Sequence, residues 1–138
     1  MNLREYQAKD KPFLEQMHRF QGFDYELPEL DAPNLWVTRM VLTDAEDQPV
    51  SAILGRITSE AYFLDYPTSP NLERMRNFVA LHELACEVGR RSGIDSTHVW
   101  LPPEVEKSFG EQLEKLGWEK FMWASYMKSL EVTSGTRR

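Results

Sequence analysis

From Leu72 to about Ser92 the chain repeats apolar residues at helical spacing, and β-rich runs flank this stretch on both sides. Leu72, Met75, Val79, Leu81, Leu84, Ala85 and Val88 make a broad stripe, with Phe78 close to it. On the N-terminal side, Pro67 and Pro70 end a run in which Tyr62, Phe63 and Leu64 read as a strand, and Asn71 stands where a helix cap is needed. On the C-terminal side, Gly93 is the stop, and Arg90 and Arg91 occupy the last turn, where cations suit the helix dipole. Thr97–Leu101 then reads as a short strand that Pro102-Pro103 breaks. A long helix between two strands places the chain in the α/β (α+β) class.

The remaining segments extend the pattern. Leu3–Tyr6 is a first strand, and Asp10 caps a helix carrying Phe13, Met17 and Phe20 that Gly22 closes. Phe23–Asn34, with Pro28, Pro33 and the acidic run Glu26–Asp31, is an irregular excursion. Trp36–Thr43, Val50–Thr58 and Glu60–Tyr66 form an antiparallel meander, with a polar connection at Asp44–Pro49. A last helix places Val105, Phe109, Leu113 and Leu116 on one stripe and ends at Gly117. Trp118–Leu130 then offers one or two strands anchored by Phe121, Trp123 and Tyr126. No repeat or linker divides residues 1–130, which read as one domain, with a flexible tail over 131–138.

Length and charge limit the function classes. A chain of 138 residues buries roughly 68% of its unfolded surface, enough for a core without staples. Apolar residues at 41% with charged residues at 28% are a globular composition. No apolar run approaches the ~20 residues that cross a bilayer, and Met1–Glu5 has no apolar export core, so the expected location is the cytoplasm, without a membrane partner. The net charge of −6 argues against a nucleic-acid surface but is silent about a local anion site. Cys86 is the only cysteine and reads as a small buried hydrophobe. His18, His82 and His98 are too scattered to form a metal site. Phosphate-loop and nucleophile-elbow motifs are absent, which leaves nucleotide-triphosphatase and hydrolase readings unsupported.

The order β-α-loop-β-β-β-α-β-α-β(β) resembles the acyl-CoA N-acyltransferase (GNAT) superfamily over Leu3–Leu130. Leu3-Arg4-Glu5-Tyr6 with Asp10 is similar to the family's opening strand and helix cap. Gly55 resembles the glycine of its third strand, and Leu113-Glu114-Lys115-Leu116-Gly117-Trp118 resembles its Tyr-Glu-Lys-Leu-Gly-Phe helix end. The resemblance implies a central mixed, mainly antiparallel sheet of six or seven strands flanked by three or four helices. It also implies acetyl-CoA or another acyl-CoA as cofactor, a small-molecule or peptide amine as acceptor, and a homodimer.

In that family the diphosphate of the cofactor lies on amides that open the central helix, where the first turn lacks helical acceptors and the dipole favours an anion. The corresponding segment here is Tyr66–Arg76, and it has no glycine. Its cofactor-binding candidates are Thr68, Ser69, Asn71, Arg74 and Arg76, joined by Trp100 on the strand that borders the cleft in the resembled fold. Pro70 removes one amide donor, and Glu73 carries the wrong charge. A plain Asn71-capped helix with solvated arginines is the competing reading. The family's acid, a tyrosine, is replaced by Leu113, and its asparagine by Glu106. Glu60 and Asp65 are the catalytic candidates for taking the amine proton, and Tyr126 is the candidate replacement acid; Glu26 and Glu29 fall in the segment corresponding to the acceptor loop. Two functions follow: an acyl-CoA-dependent N-acyltransferase, or a non-catalytic ligand- or protein-binding module on the same fold.

Overall fold

The computed structural model describes residues 1–131. Its elements are β1 (Asn2–Glu5), a 3-10 turn (Ala8–Asp10), α1 (Lys11–Gln21), β2 (Trp36–Thr43), β3 (Pro49–Arg56), β4 (Ser59–Glu60), α2 (Asn71–Arg91), β5 (Thr97–His98) and α3 (Pro103–Lys115). The architecture is α+β, and the elements follow the expected order as far as α3. The chain divides into two compact units, Met1–Trp100 and Leu101 onward. No helix among the described residues is long and apolar enough to cross a membrane.

In the first unit, β2 pairs antiparallel with β1 on one side and β3 on the other. Alternation along β2 turns Val41 inward, where it is fully buried with Leu14 of α1 and Leu30 of the excursion. Tyr6, Leu27, Trp36 and Leu54 close around this cluster. Gly55 faces Thr38 so closely that a Cβ there would lie 2.7 Å from Thr38 Cγ2. The β2–β3 turn is held by Asp44, whose carboxylate accepts the amides of Glu46 and Gln48, and it passes through Asp47 at φ 62°. Gly22 closes α1 at φ 71°, the left-handed conformation glycine adopts without strain.

The excursion is irregular but tied down. Trp36 Nε1 donates to the Glu29 carbonyl at 3.0 Å, and Arg39 Nη1 donates to the Leu30 carbonyl at 2.6 Å. The Tyr6 hydroxyl donates to Asp31 at 3.0 Å. The first two bonds supply partners for backbone carbonyls that no helix or sheet serves.

Several expectations are corrected. Five strands form among the described residues, not six or seven, and they lie in two sheets: β1-β2-β3, and a parallel pair of β4 with β5. The run Glu60–Tyr66 is not a third meander strand. Only Ser59–Glu60 is a strand, and it pairs with β5 instead of β3. Tyr62 and Leu64 are exposed, because β-propensity without a neighbouring ladder does not make a strand. β5 stops at His98, ahead of Pro102 and Pro103, which have no amide to donate.

α2 begins at Asn71, so Pro70 is the N-cap and no side chain among the described residues caps the helix. Asp10 likewise does not cap α1; its carboxylate accepts the Gln7 amide and the Arg4 guanidinium. The inner face of α2 also differs from the expected stripe. Phe78 is 9% exposed, whereas Leu81 and Leu84 are 52% and 60% exposed. Phe78 meets Phe63 edge-on at 5.3 Å and lies 5.6 Å from His82. α2 is apolar on more than one side, and the side carrying the largest ring is turned inward.

In the second unit, α3 buries Leu113, and Gly117 ends the helix at φ 94°. Glu106 pairs with Lys120 at 2.5 Å. The expected strands in Trp118–Leu130 do not form, and Phe121, Trp123 and Tyr126 are exposed there. The tail predicted over 131–138 lies, from residue 132, outside the described residues.

Candidate functional site

The crossover from β4 through α2 to β5 holds most of the residues the sequence singles out. β4 and β5 run parallel, with Ser59 opposite Thr97 and Glu60 opposite His98. Ser59 Oγ donates to Thr97 Oγ1 at 2.6 Å, and the Ala61 amide donates to the His98 carbonyl at 2.7 Å. Beyond these residues both chains leave strand geometry. The segment after β4 then turns at Tyr66–Ser69, where the Ser69 amide donates to the Tyr66 carbonyl at 3.2 Å, and enters α2.

The first turn of α2 has no side-chain cap, so its leading amides point out of the helix end unmatched by Thr68, Ser69 or Asn71. The Arg74 amide is the first to close a helical bond, to the Pro70 carbonyl at 3.0 Å. Arg74 Nε is buried and has no hydrogen-bond partner among the described residues. Glu73 places one carboxylate in the same turn, and Arg76 is exposed one turn along.

The two carboxylate candidates differ. Glu60 is exposed, and its Oε1 accepts the Tyr62 hydroxyl at 2.7 Å, an interaction that raises the Tyr62 phenol above its usual range. Asp65 is half-buried. Its Oδ1 accepts the Tyr66 amide at 2.8 Å, while Oδ2 is buried and has no hydrogen-bond partner among the described residues. Asp65 and Arg74 thus each keep a buried polar atom unmatched, on either side of the turn that starts α2. A buried polar atom without a partner costs free energy, on the order of 1–3 kcal/mol, which a bound ligand can recover.

The structure brings Glu60, Asp65, Thr68, Ser69, Asn71, Arg74 and Arg76 into one continuous β4–turn–α2 segment. Trp100 is exposed at the end of the first unit, and Tyr126, 95% exposed, belongs to the second. Two clefts, of about 340 and 160 Å³, are lined by other residues. Trp36 lines the smaller one, beside Tyr6 and Arg39. Among the described residues no three His, Cys, Asp or Glu side chains gather as metal ligands.

Comparison with known protein families, with curated proteins and with solved structures finds no match to this chain.

Proposed function

We propose that the protein is an acyl-CoA-dependent N-acyltransferase that transfers an acetyl or related acyl group to an amine, with its cofactor site at the start of α2. The observation that carries this reading is the uncapped first turn of α2 together with the buried, unpartnered Nε of Arg74. Both are donors awaiting an acceptor, and a helix N-terminus adds a favourable dipole for an anion. The fit to a diphosphate is incomplete in two respects: Pro70 contributes no amide, and Glu73 opposes a phosphate.

In this reading the carbon–sulfur bond of the thioester breaks as the neutral amine nitrogen bonds to the acyl carbon, and the sulfur leaves as the thiol once it takes up the proton that the nitrogen loses. The amine must first be neutral, and Asp65 is better disposed than Glu60 to take its proton. Asp65 Oδ2 is buried and unengaged, whereas the Glu60 carboxylate is exposed and already accepts from Tyr62. Holding the two reactants in place supplies much of the remaining rate.

A second reading, a non-catalytic ligand- or protein-binding module, draws support from Leu113. That side chain is a buried core residue and cannot donate a proton to a leaving group.

Calorimetric titration with acetyl-CoA and with free CoA tests the assignment. Saturable binding, weakened by the double change Arg74→Ala/Arg76→Ala, is expected. Absence of binding at millimolar CoA rejects the transferase. Binding without turnover on a panel of amines leaves the module.

A further inference from the structure

One face of α1 presents Lys11, Glu15, His18 and Arg19 to the segment Leu27–Leu30, and the two enclose the cleft of about 340 Å³. The spacing places these four side chains on adjacent turns of a single helix face. The segment runs antiparallel to α1. Glu29 accepts Lys11 Nζ at 3.0 Å at one end, and the Tyr25 ring meets His18 at 4.7 Å near the other. The volume falls at the small end of ligand pockets, roughly 300–1,000 Å³.

The charged groups of this cleft are unevenly used. Lys11 is engaged by Glu29 and also lies 3.7 Å from Asp31. Glu15 and Arg19 stand at the i, i+4 spacing that favours an ion pair, yet among the described residues neither makes one, Glu15 acting on Lys11 only through space. His18 Nε2 is buried and has no hydrogen-bond partner among the described residues. Leu27, Pro28 and the fully buried Leu30 supply an apolar wall beside them. The lining therefore holds two cations and two carboxylates, with one of each sign, Arg19 and Glu15, outside any ion pair. A simple anion would leave Glu15 opposed and a simple cation would leave Arg19 opposed, so the lining favours a ligand that carries both charges.

We propose that this cleft binds a small zwitterion, an α-amino acid with an apolar side chain. Its carboxylate lies on the Arg19 guanidinium beside the His18 ring, its ammonium faces Glu15, and its side chain rests on Leu27 and Pro28. None of Glu60, Asp65, Arg74 and Arg76 lines this cleft, whereas Glu29 of the segment matched to the acceptor loop does; the binding is argued from this lining alone and does not rest on acyl transfer.

The test titrates the full chain with L-leucine, with 4-methylpentanoate, which lacks the ammonium, and with 3-methylbutylamine, which lacks the carboxylate. The readout is the ring resonance of His18 in a ¹H–¹³C spectrum, assigned with His18→Gln. Saturable movement of that resonance by leucine is expected, with each analogue bound about tenfold or more weakly, the equivalent of losing one charged contact. Arg19→Ala and Glu15→Gln should each weaken leucine binding by a similar factor while leaving the amide spectrum of the Val41 core unchanged. The proposal is overturned if leucine up to ~10 mM, a concentration that saturates even a weak small-molecule site, leaves the His18 resonance still. Equal binding of the one-charge analogues, or leucine binding untouched by both substitutions, overturns it as well.

Discussion

Arg4 grips the Asp10 carboxylate at two points, with Nη1 on Oδ2 at 2.7 Å and Nη2 on Oδ1 at 2.9 Å. Asp10 is only 1% exposed, so this fork is what allows a carboxylate to remain charged beneath the first strand. The same guanidinium uses Nε to hold Asp47 in the β2–β3 turn at 2.8 Å, and Lys9 joins there at 2.7 Å. One side chain thereby links β1, the 3-10 turn and the hairpin.

Acid should loosen this linkage. The Arg4 hydrogen bonds outweigh burial and hold Asp10 below its ordinary value, and the Arg4 and Lys9 bonds bring Asp47 from 3.8 down to about 2. Both folded-state values are depressed, so the stabilisation is full above the unfolded value near pH 4 and is lost as pH falls toward 2. Urea midpoints measured from pH 6 to pH 2 should decline mainly in the lower half of that range. In Asp10→Ala that decline should be smaller, and stability at neutral pH should fall by on the order of 2 kcal/mol. An Asp10→Ala profile matching the parent counts against the linkage.

The orientation of α2 predicts an unequal response to truncation. Phe78→Ala should cost about 3 kcal/mol, because it empties a site filled by an aromatic ring against Phe63. Leu81→Ala and Leu84→Ala should change stability by no more than about 0.5 kcal/mol, as expected for exposed positions. Chemical denaturation of the three variants decides between this inner face and the stripe read from hydropathy.

Gly55→Ala should destabilise the β2–β3 hairpin by roughly 1–3 kcal/mol, since the new methyl group meets Thr38 Cγ2. Adding Thr38→Ser removes that methyl and should restore most of the loss. A double variant no more stable than Gly55→Ala would show that the clash is not the cause.

Tyr6 should ionise later than a free phenol. Burial first, and then its hydrogen bond to the Asp31 carboxylate, hold its phenol well above the usual range. A raised folded-state value means that the associated stability is complete below pH ~10 and is lost as pH rises beyond it. Ultraviolet titration should reveal a late step that Tyr6→Phe abolishes.

Local signals in the sequence were dependable where a single residue type answers a backbone need. Gly22, Gly93 and Gly117 take positive φ at or just beyond helix ends, and the element order follows from such punctuation. Signals that depend on a partner were not. Tyr62–Leu64 and Phe121–Tyr126 have strand-forming side chains, but a strand requires a neighbouring edge. The inner side of α2 could not be chosen from periodicity, because Leu81, Leu84 and Phe78 lie on different apolar sides of one helix. At the candidate site the turn before Asn71 was legible as the start of a helix. The unmatched atoms of Asp65 and Arg74 were not, because burial depends on the path of the whole segment. The same holds for the α1 cleft: Lys11, Glu15, His18 and Arg19 share a face in any helix, but only the return of Leu27–Leu30 encloses it.

The turn at Asp47 also bears on the order in which the sheet assembles. β2 and β3 are joined by a short connection and meet through contacts near in sequence, whereas β1 pairs with Met40–Thr43 across the intervening α1 and excursion. Arg4 finds its second carboxylate only once Asp47 has taken its left-handed place between β2 and β3. Closing the long loop back to residues 2–5 is entropically expensive and is rewarded only when that edge and that carboxylate already exist. The strand that comes first in the sequence is therefore expected to join its sheet last.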